Sequence, residues 1–285
     1  MKLPITRRTA LAAISLGCVS TLSRSRGVEV EQRRTSHGYR LEYTHDRDDL
    51  IGDLLDGPRG EPERESETPH HEWYSHPIRR RYGAWGPAPR RYLPLEGLEK
   101  RSLAWQRERV IATAARFIGY EYQHHHIPDW NPPSHWPWKQ CCAGHNGKGV
   151  DCSNFTSFVY NQGFGIHMNS GIGRQAELHS ALEGHHSVRL QHIHLPGNYR
   201  ERQQVLQTGD LLYILHREGG HVSHVVIWVG SVGRSPSGVP LILDSHGGDV
   251  KDDEGHPIPC GIHLRPFREH SWYDRCASHA HRVFG

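Results

Sequence analysis

The chain has 285 residues, a formal net charge of +3 and an unusual count of 25 His. That length accommodates one substantial domain with a leader and a linker. The net charge is too small to suggest nucleic acid or an anionic membrane surface as the main partner, so the imidazoles are the compositional feature to explain.

Residues 1–26 read as an export signal, which predicts a periplasmic or extracellular protein. Lys2, Arg7 and Arg8 precede the apolar run from Thr9 to Val19. That run is far shorter than the ~20 residues that span a bilayer. Thr6-Arg7-Arg8-Thr9-Ala10-Leu11 resembles a twin-arginine signal, with Ala10 in place of the usual Phe. Gly17-Cys18 resembles a lipoprotein site, with Ser15 where Leu is expected. Cleavage and lipidation are both open, and only lipidation at Cys18 would bring a membrane contact.

Residues 27–98 read as a disordered or loosely packed linker, because the charged stretch from Glu61 to Pro69 has no apolar period to bury. Arg79-Arg80-Arg81-Tyr82 and Arg90-Arg91-Tyr92 mix cations with aromatic rings, and read as a solvated tether in preference to a nucleic-acid surface. Residues 99–285 form the predicted catalytic domain. Leu103, Val110, Ile111, Ala114, Phe117 and Ile118 fall at helical spacing, with Gly119 placed to end the helix. A His-, Pro- and Trp-rich loop from His124 to Gly149 leads to a second helix over Asn154–Tyr160. Strand-like runs follow at Asp210–Leu215, Val222–Val229 and Pro240–Asp244. Short links between these strands leave no room for crossover helices, so the fold class is α+β with an antiparallel sheet.

Cys152 stands where the loop turns into the second helix, and a helix N-terminus is a setting that favours a thiolate nucleophile and an oxyanion. Taken alone, it reads better as a buried or disulfide-bonded Cys. Period-two alternation puts His224, Val226 and Trp228 on one strand face and Val225, Ile227 and Val229 on the other. A His at the start of that strand can act as base to a helix-borne Cys. His246, ending the next strand, is placed to hold the base's ring in one tautomer. His221 is a rival base on the opposite strand face. Asp210 reads as a strand-start residue, and spacing selects neither Asp244 nor Asp249 as an assistant to His246. His124, His126, His192 and His194 offer His-x-His pairs to zinc, but read better as surface imidazoles, so no metal or cofactor is assigned. Cys141, Cys142, Cys260 and Cys276 can pair in an oxidising compartment, with the connectivity open.

Gly149-Val150-Asp151-Cys152-Ser153, Gly209-Asp210-Leu211, His224-Val225-Val226-Ile227-Trp228-Val229-Gly230 and His246 resemble, in order, the motifs of the NlpC/P60 cysteine peptidases. The resemblance implies a papain-like fold with the nucleophile helix packed on an antiparallel sheet. It also implies a Cys-His-His triad, with Cys152 as nucleophile, His224 as base and His246 as orienter. Ala114 to Tyr122 is similar to the segment leading to the family's substrate-contacting Tyr, which implies that role for Tyr122. Asp151 and Ser153 flank the Cys as in members that grip the free amine of a short peptide. The implied reaction is amide hydrolysis, and the implied partners are bacterial cell-wall stem peptides or other short peptides. The chain departs from the family at Asn154, where Gly is common, and at His124-His125-His126, where Gly-Gly is usual. Its stretch between Cys152 and Gly209 is also longer and richer in His. Those departures keep open an amidase or acyltransferase on a non-wall substrate, and a silent binding module.

Overall fold

Local signals set the ends of the helix that carries Cys152. The Asp151 side chain accepts the Asn154 N–H at 3.0 Å as the N-cap, and Gly165 ends the helix in the left-handed conformation at φ 74°. The computed structural model describes residues 38–55, 66, 68–73, 75–82, 88–129 and 148–285, all within the larger of the chain's two units, residues 35–285. Residues 1–26, Cys141 and Cys142 lie outside the described residues. No helix among the described residues is long and apolar enough to cross a membrane.

In chain order the elements begin with strand β1 (Arg40–Leu41), helix α1 (Arg47–Leu55), helix α2 (His76–Tyr82) and helix α3 (Leu103–Ala115). Ser102 caps α3 by accepting the Trp105 N–H at 3.1 Å. The helix that begins at Cys152, α4, runs Cys152–Phe164, longer at both ends than its apolar residues alone predict.

The expected linker is corrected in its described part. Leu50, Ile51 and Leu54 of α1 are fully buried against Trp105 and Ala112 of α3. The Arg109 guanidinium, also buried, donates to Leu50 O, to both Asp53 carboxylate oxygens at 2.8 Å and to Gly163 O at 3.0 Å. It thereby joins α1, α3 and α4. Trp73 and Tyr92 are buried as well. A reading weighted by the charged run at 61–69 missed the i, i+1, i+4 apolar face of α1.

After α4 come β2 (Ile166–His167), α5 (Ile172–Ala176), β3 (Ser180–Glu183), β4 (His186–Arg189), β5 (Gln191–His194) and α6 (Tyr199–Val205). The remaining elements are β6 (Leu211–Leu215), β7 (Val222–Trp228), β8 (Gly233–Arg234), β9 (Leu241–His246), β10 (Gly261–Pro266), α7 (Trp272–Arg275) and β11 (Ala277–Arg282). The main sheet is antiparallel and six-stranded, in the order β10-β9-β7-β6-β11-β5. Strands β2, β3 and β4 form a separate three-stranded sheet, and β1 pairs with β8.

The two faces of the main sheet bury different cores. Val225, Ile227, Val229, Leu241 and Leu243 share a cluster with Phe155, Phe158 and Val159 of α4. Val226, Trp228 and Ile242 pack with Phe267 and Tyr273. The fold is α+β, with helix α4 packed on an antiparallel sheet, as the sequence predicts. The sheet has six strands where the sequence predicts three: buried His263 and Arg265 alternate with Ile262 and Leu264 in β10, His281 and Arg282 are buried in β11, and β5 is a largely exposed edge strand.

Candidate active site

Backbone packing brings the segment 119–123 against the start of α4. Tyr120 O accepts the Ile262 N–H at 2.7 Å, and Glu121 N–H donates to Lys148 O at 2.8 Å. Two glycines permit this approach. A Cβ on Gly149 would collide with the Glu121 carbonyl, and one on Gly261, at φ 104°, would collide with the Tyr120 carbonyl. Ser245 of β9 donates to Val150 O at 2.6 Å, which ties the loop before Cys152 to the strand that carries Asp244 and His246.

Cys152 and His224 are both 5 % exposed, and the Cys152 sulfur is near enough to raise the basicity of the His224 ring. His224 Nε2 lies 2.7 Å from Asp244 Oδ2, so its other nitrogen, Nδ1, is the one left for Cys152. Asp244 is fully buried, and accepts from Arg265 at 2.7 Å and from the Tyr273 hydroxyl at 2.8 Å. Burial alone would raise the carboxyl pKa. The Arg265 charge, then the His224 hydrogen bond, outweigh burial and hold it well below the usual carboxylate range. Burial likewise works against a charged His224. The negative charge of Cys152 and the hydrogen bonds to Asp244 and Cys152 overcome it and raise the ring to about 9.

The position of His246 differs from the orienting role that the family resemblance implies. Its ring stands 5.1 Å from that of His224 at 82°, and its Nδ1 accepts the Gly248 N–H at 3.1 Å. The nitrogen of His224 is held by Asp244 instead. Asp244 sits two residues earlier on the same strand face, where Arg265 and Tyr273 fix its carboxylate. Sequence spacing did not single out Asp244, since nothing in β9 itself marks it. The signal lies in Arg265, a cation in the middle of a strand that needs a buried partner.

Tyr122 is half-buried beside the pair. Burial raises its hydroxyl pKa, and the charges of Cys152, Asp151 and Asp244 add to the rise. Asp151 and Ser153 are engaged locally. Asp151 caps α4, accepts Asn154 Nδ2 at 2.8 Å and lies 3.5 Å from His124 Nδ1, while the Ser153 hydroxyl donates to Ser170 O at 2.6 Å. His221 is exposed and stacks on His216 with ring centroids 5.9 Å apart in the β6–β7 turn. The four His considered for zinc are not brought together. His126 bonds Asn154 at 2.6 Å at the start of α4, whereas His192 and His194 are on the edge strand β5. Cys260 and Cys276 are free thiols, as is Cys152. A cavity of about 600 Å³ adjoins His246, with Trp272, Tyr273, Asp249, Lys251 and Arg268 among its walls.

Residues 140–275 match the model of the NlpC/P60 family. Among solved structures, the chain is similar to an NlpC/P60 family protein from Bacillus cereus ATCC 10987, at 21% identity and TM-score 0.31, over 49% of this chain and 33% of that one. It thus spans about a third of that relative's length. The NlpC/p60 domain of the peptidoglycan hydrolase SagA matches at 19% identity and TM-score 0.32, over 60% of this chain and 93% of that one. The peptidoglycan hydrolase RipB from Mycobacterium tuberculosis matches at 15% identity and TM-score 0.38, over 93% and 87%. No curated protein matches the chain. The family match spans Cys152, His224, Asp244 and His246, and the chain carries an NlpC/P60 family domain.

Proposed function

We propose that the protein is an exported thiol hydrolase that cleaves amide bonds in short peptides, with bacterial cell-wall stem peptides as its substrates. The observation that carries this reading is His224, buried beside Cys152 with its Nε2 held 2.7 Å from the Asp244 carboxylate. In the proposed mechanism the Cys152 thiolate attacks the carbonyl, backbone N–H groups at the start of α4 stabilise the oxyanion, and the protonated His224 gives its proton to the leaving amine. Water, deprotonated by the now neutral His224, then hydrolyses the thioester. Asp244 holds the His224 ring and favours its charged form, a positioning role.

His246 and Tyr122 flank the pair and form the wall along which a peptide lies, and the cavity beside His246 is the proposed binding cleft. Export rests on the leader sequence, and the wall substrate rests on the family domain. SagA, through its NlpC/p60 domain, and RipB, both peptidoglycan hydrolases, are among the solved structures the chain is similar to.

The test is mass spectrometry of muropeptides after incubation with the protein. The expected result is paired products whose masses sum to substrate plus one water. Unchanged muropeptides, or products carrying a transferred acyl group, would contradict the reading. The pH profile follows from the raised His224. As pH rises through about 9 the ring loses its proton, the leaving amine loses its donor, and kcat/KM is expected to fall. Asp244→Asn removes one of the groups that raise the ring, so the falling limb is expected to move to lower pH.

A further inference from the structure

Strands β5 and β11 form a second histidine constellation, with β6 lying between them and the strands of the Cys152 site. In the antiparallel register His281 stands opposite His192, and His279 opposite His194. Alternation therefore puts all four rings on one face of the strand pair. One ligand atom from each of His192, His279 and His281 lies within 4.8 Å of the others.

His281 is 1% exposed, and neither of its ring nitrogens has a hydrogen-bond partner. A buried imidazole with both nitrogens unpaired is costly in a folded chain, and a metal ion is the partner that a cluster of neutral imidazoles suits. His279 Nε2 donates to Ala176 O at 2.9 Å, which fixes its tautomer, and Nδ1 carries the lone pair and accepts the Ser278 hydroxyl at 3.0 Å, a neutral partner that a metal ion would displace. A carbonyl on the far nitrogen is the usual outer support of a metal-bound His. His192 is exposed, which gives an ion a way in.

We propose that His192, His279 and His281 form a zinc site that clips the edge strand β5 to β11, with water as the fourth ligand. Three imidazoles and a water are a common tetrahedral zinc set. Zn–N bonds of ~2.0–2.1 Å place ligand nitrogens about 3.4 Å apart, so the rings must swing inward. The exposed His192 ring, stacked on His279 with centroids 4.7 Å apart, makes most of that movement. The site is independent of amide hydrolysis, and β11 lies beyond residue 275, where the family match ends.

The test uses the full chain in a Cys152→Ala background, so that the active-site thiol does not compete for metal. After chelator treatment and dialysis, zinc is titrated by calorimetry and the thermal midpoint is followed. One equivalent of zinc is expected to bind and to raise the midpoint. His192→Ala and His281→Phe are expected to weaken that binding on the order of 100-fold, and His185→Ala, in the β3–β4 turn, to leave it unchanged. Should His281→Phe fail to fold, the exposed His192→Ala still decides. Absence of stoichiometric binding, or equal affinity in His192→Ala, would overturn the proposal.

Discussion

Asp244→Ala is expected to lower amide hydrolysis on the order of 10³–10⁴-fold and to destabilise the fold by about 3–5 kcal/mol. Both effects come from one carboxylate with three partners, the His224 ring, the Arg265 guanidinium and the Tyr273 hydroxyl. Without it His224 loses the contact that fixes which nitrogen faces Cys152. Arg265 is fully buried and would be left as a cation without its acidic partner, the costly half of a broken buried ion pair. Asp244→Asn keeps the volume and one acceptor, so it separates the two effects. The activity loss should persist while much of the stability returns. His246→Ala is the decisive comparison. Its ring touches His224 edge to face and holds no nitrogen of it, so its removal should cost far less activity than Asp244→Asn. Steady-state kinetics and urea midpoints on the three variants check this. The opposite ranking would restore His246 as the orienting residue.

His224→Ala is expected to remove hydrolysis on the order of 10⁶-fold in kcat, because base and acid steps both pass through this ring. Its effect on stability should be much smaller than that of Asp244→Ala, since Asp244 keeps Arg265 and Tyr273 as partners. A loss of rate without a comparable loss of thermal midpoint is therefore the signature of a chemical role. His221→Ala is the matched control, being exposed and stacked on His216, and its rate should stay at the wild-type level. A His224→Ala variant that kept wild-type turnover would refute the base assignment.

The parts of this fold legible in the sequence are those where apolar period and capping agree. Leu103 to Phe117 spell one helix. The alternating residues of β7 divide into the two buried faces that the structure has, Val225, Ile227 and Val229 on one and Val226 and Trp228 on the other. Strands β10 and β11 were not legible, because polar residues share their buried positions with the apolar ones. Arg265 is inside only because Asp244 meets it, and Arg282 only because Asp210 accepts from it at 2.8 and 3.0 Å. Neither partner is close in sequence, so period alone reads these segments as surface. The same cause hid Asp244 behind His246 as the group that holds His224. A strand two residues out of place in its assigned partner still looks correct by alternation. Helix α1 was missed for a different reason. Its apolar face is short, and its stability comes from Trp105 and Arg109 about fifty residues later.

The account rests most heavily on Cys152 as the nucleophile, and the most direct measurement is muropeptide hydrolysis by Cys152→Ala beside the wild type. Cys152→Ala should fold with a near-native thermal midpoint and release no product above the uncatalysed background. Cys152→Ala that turned over muropeptides at the wild-type rate would contradict the account.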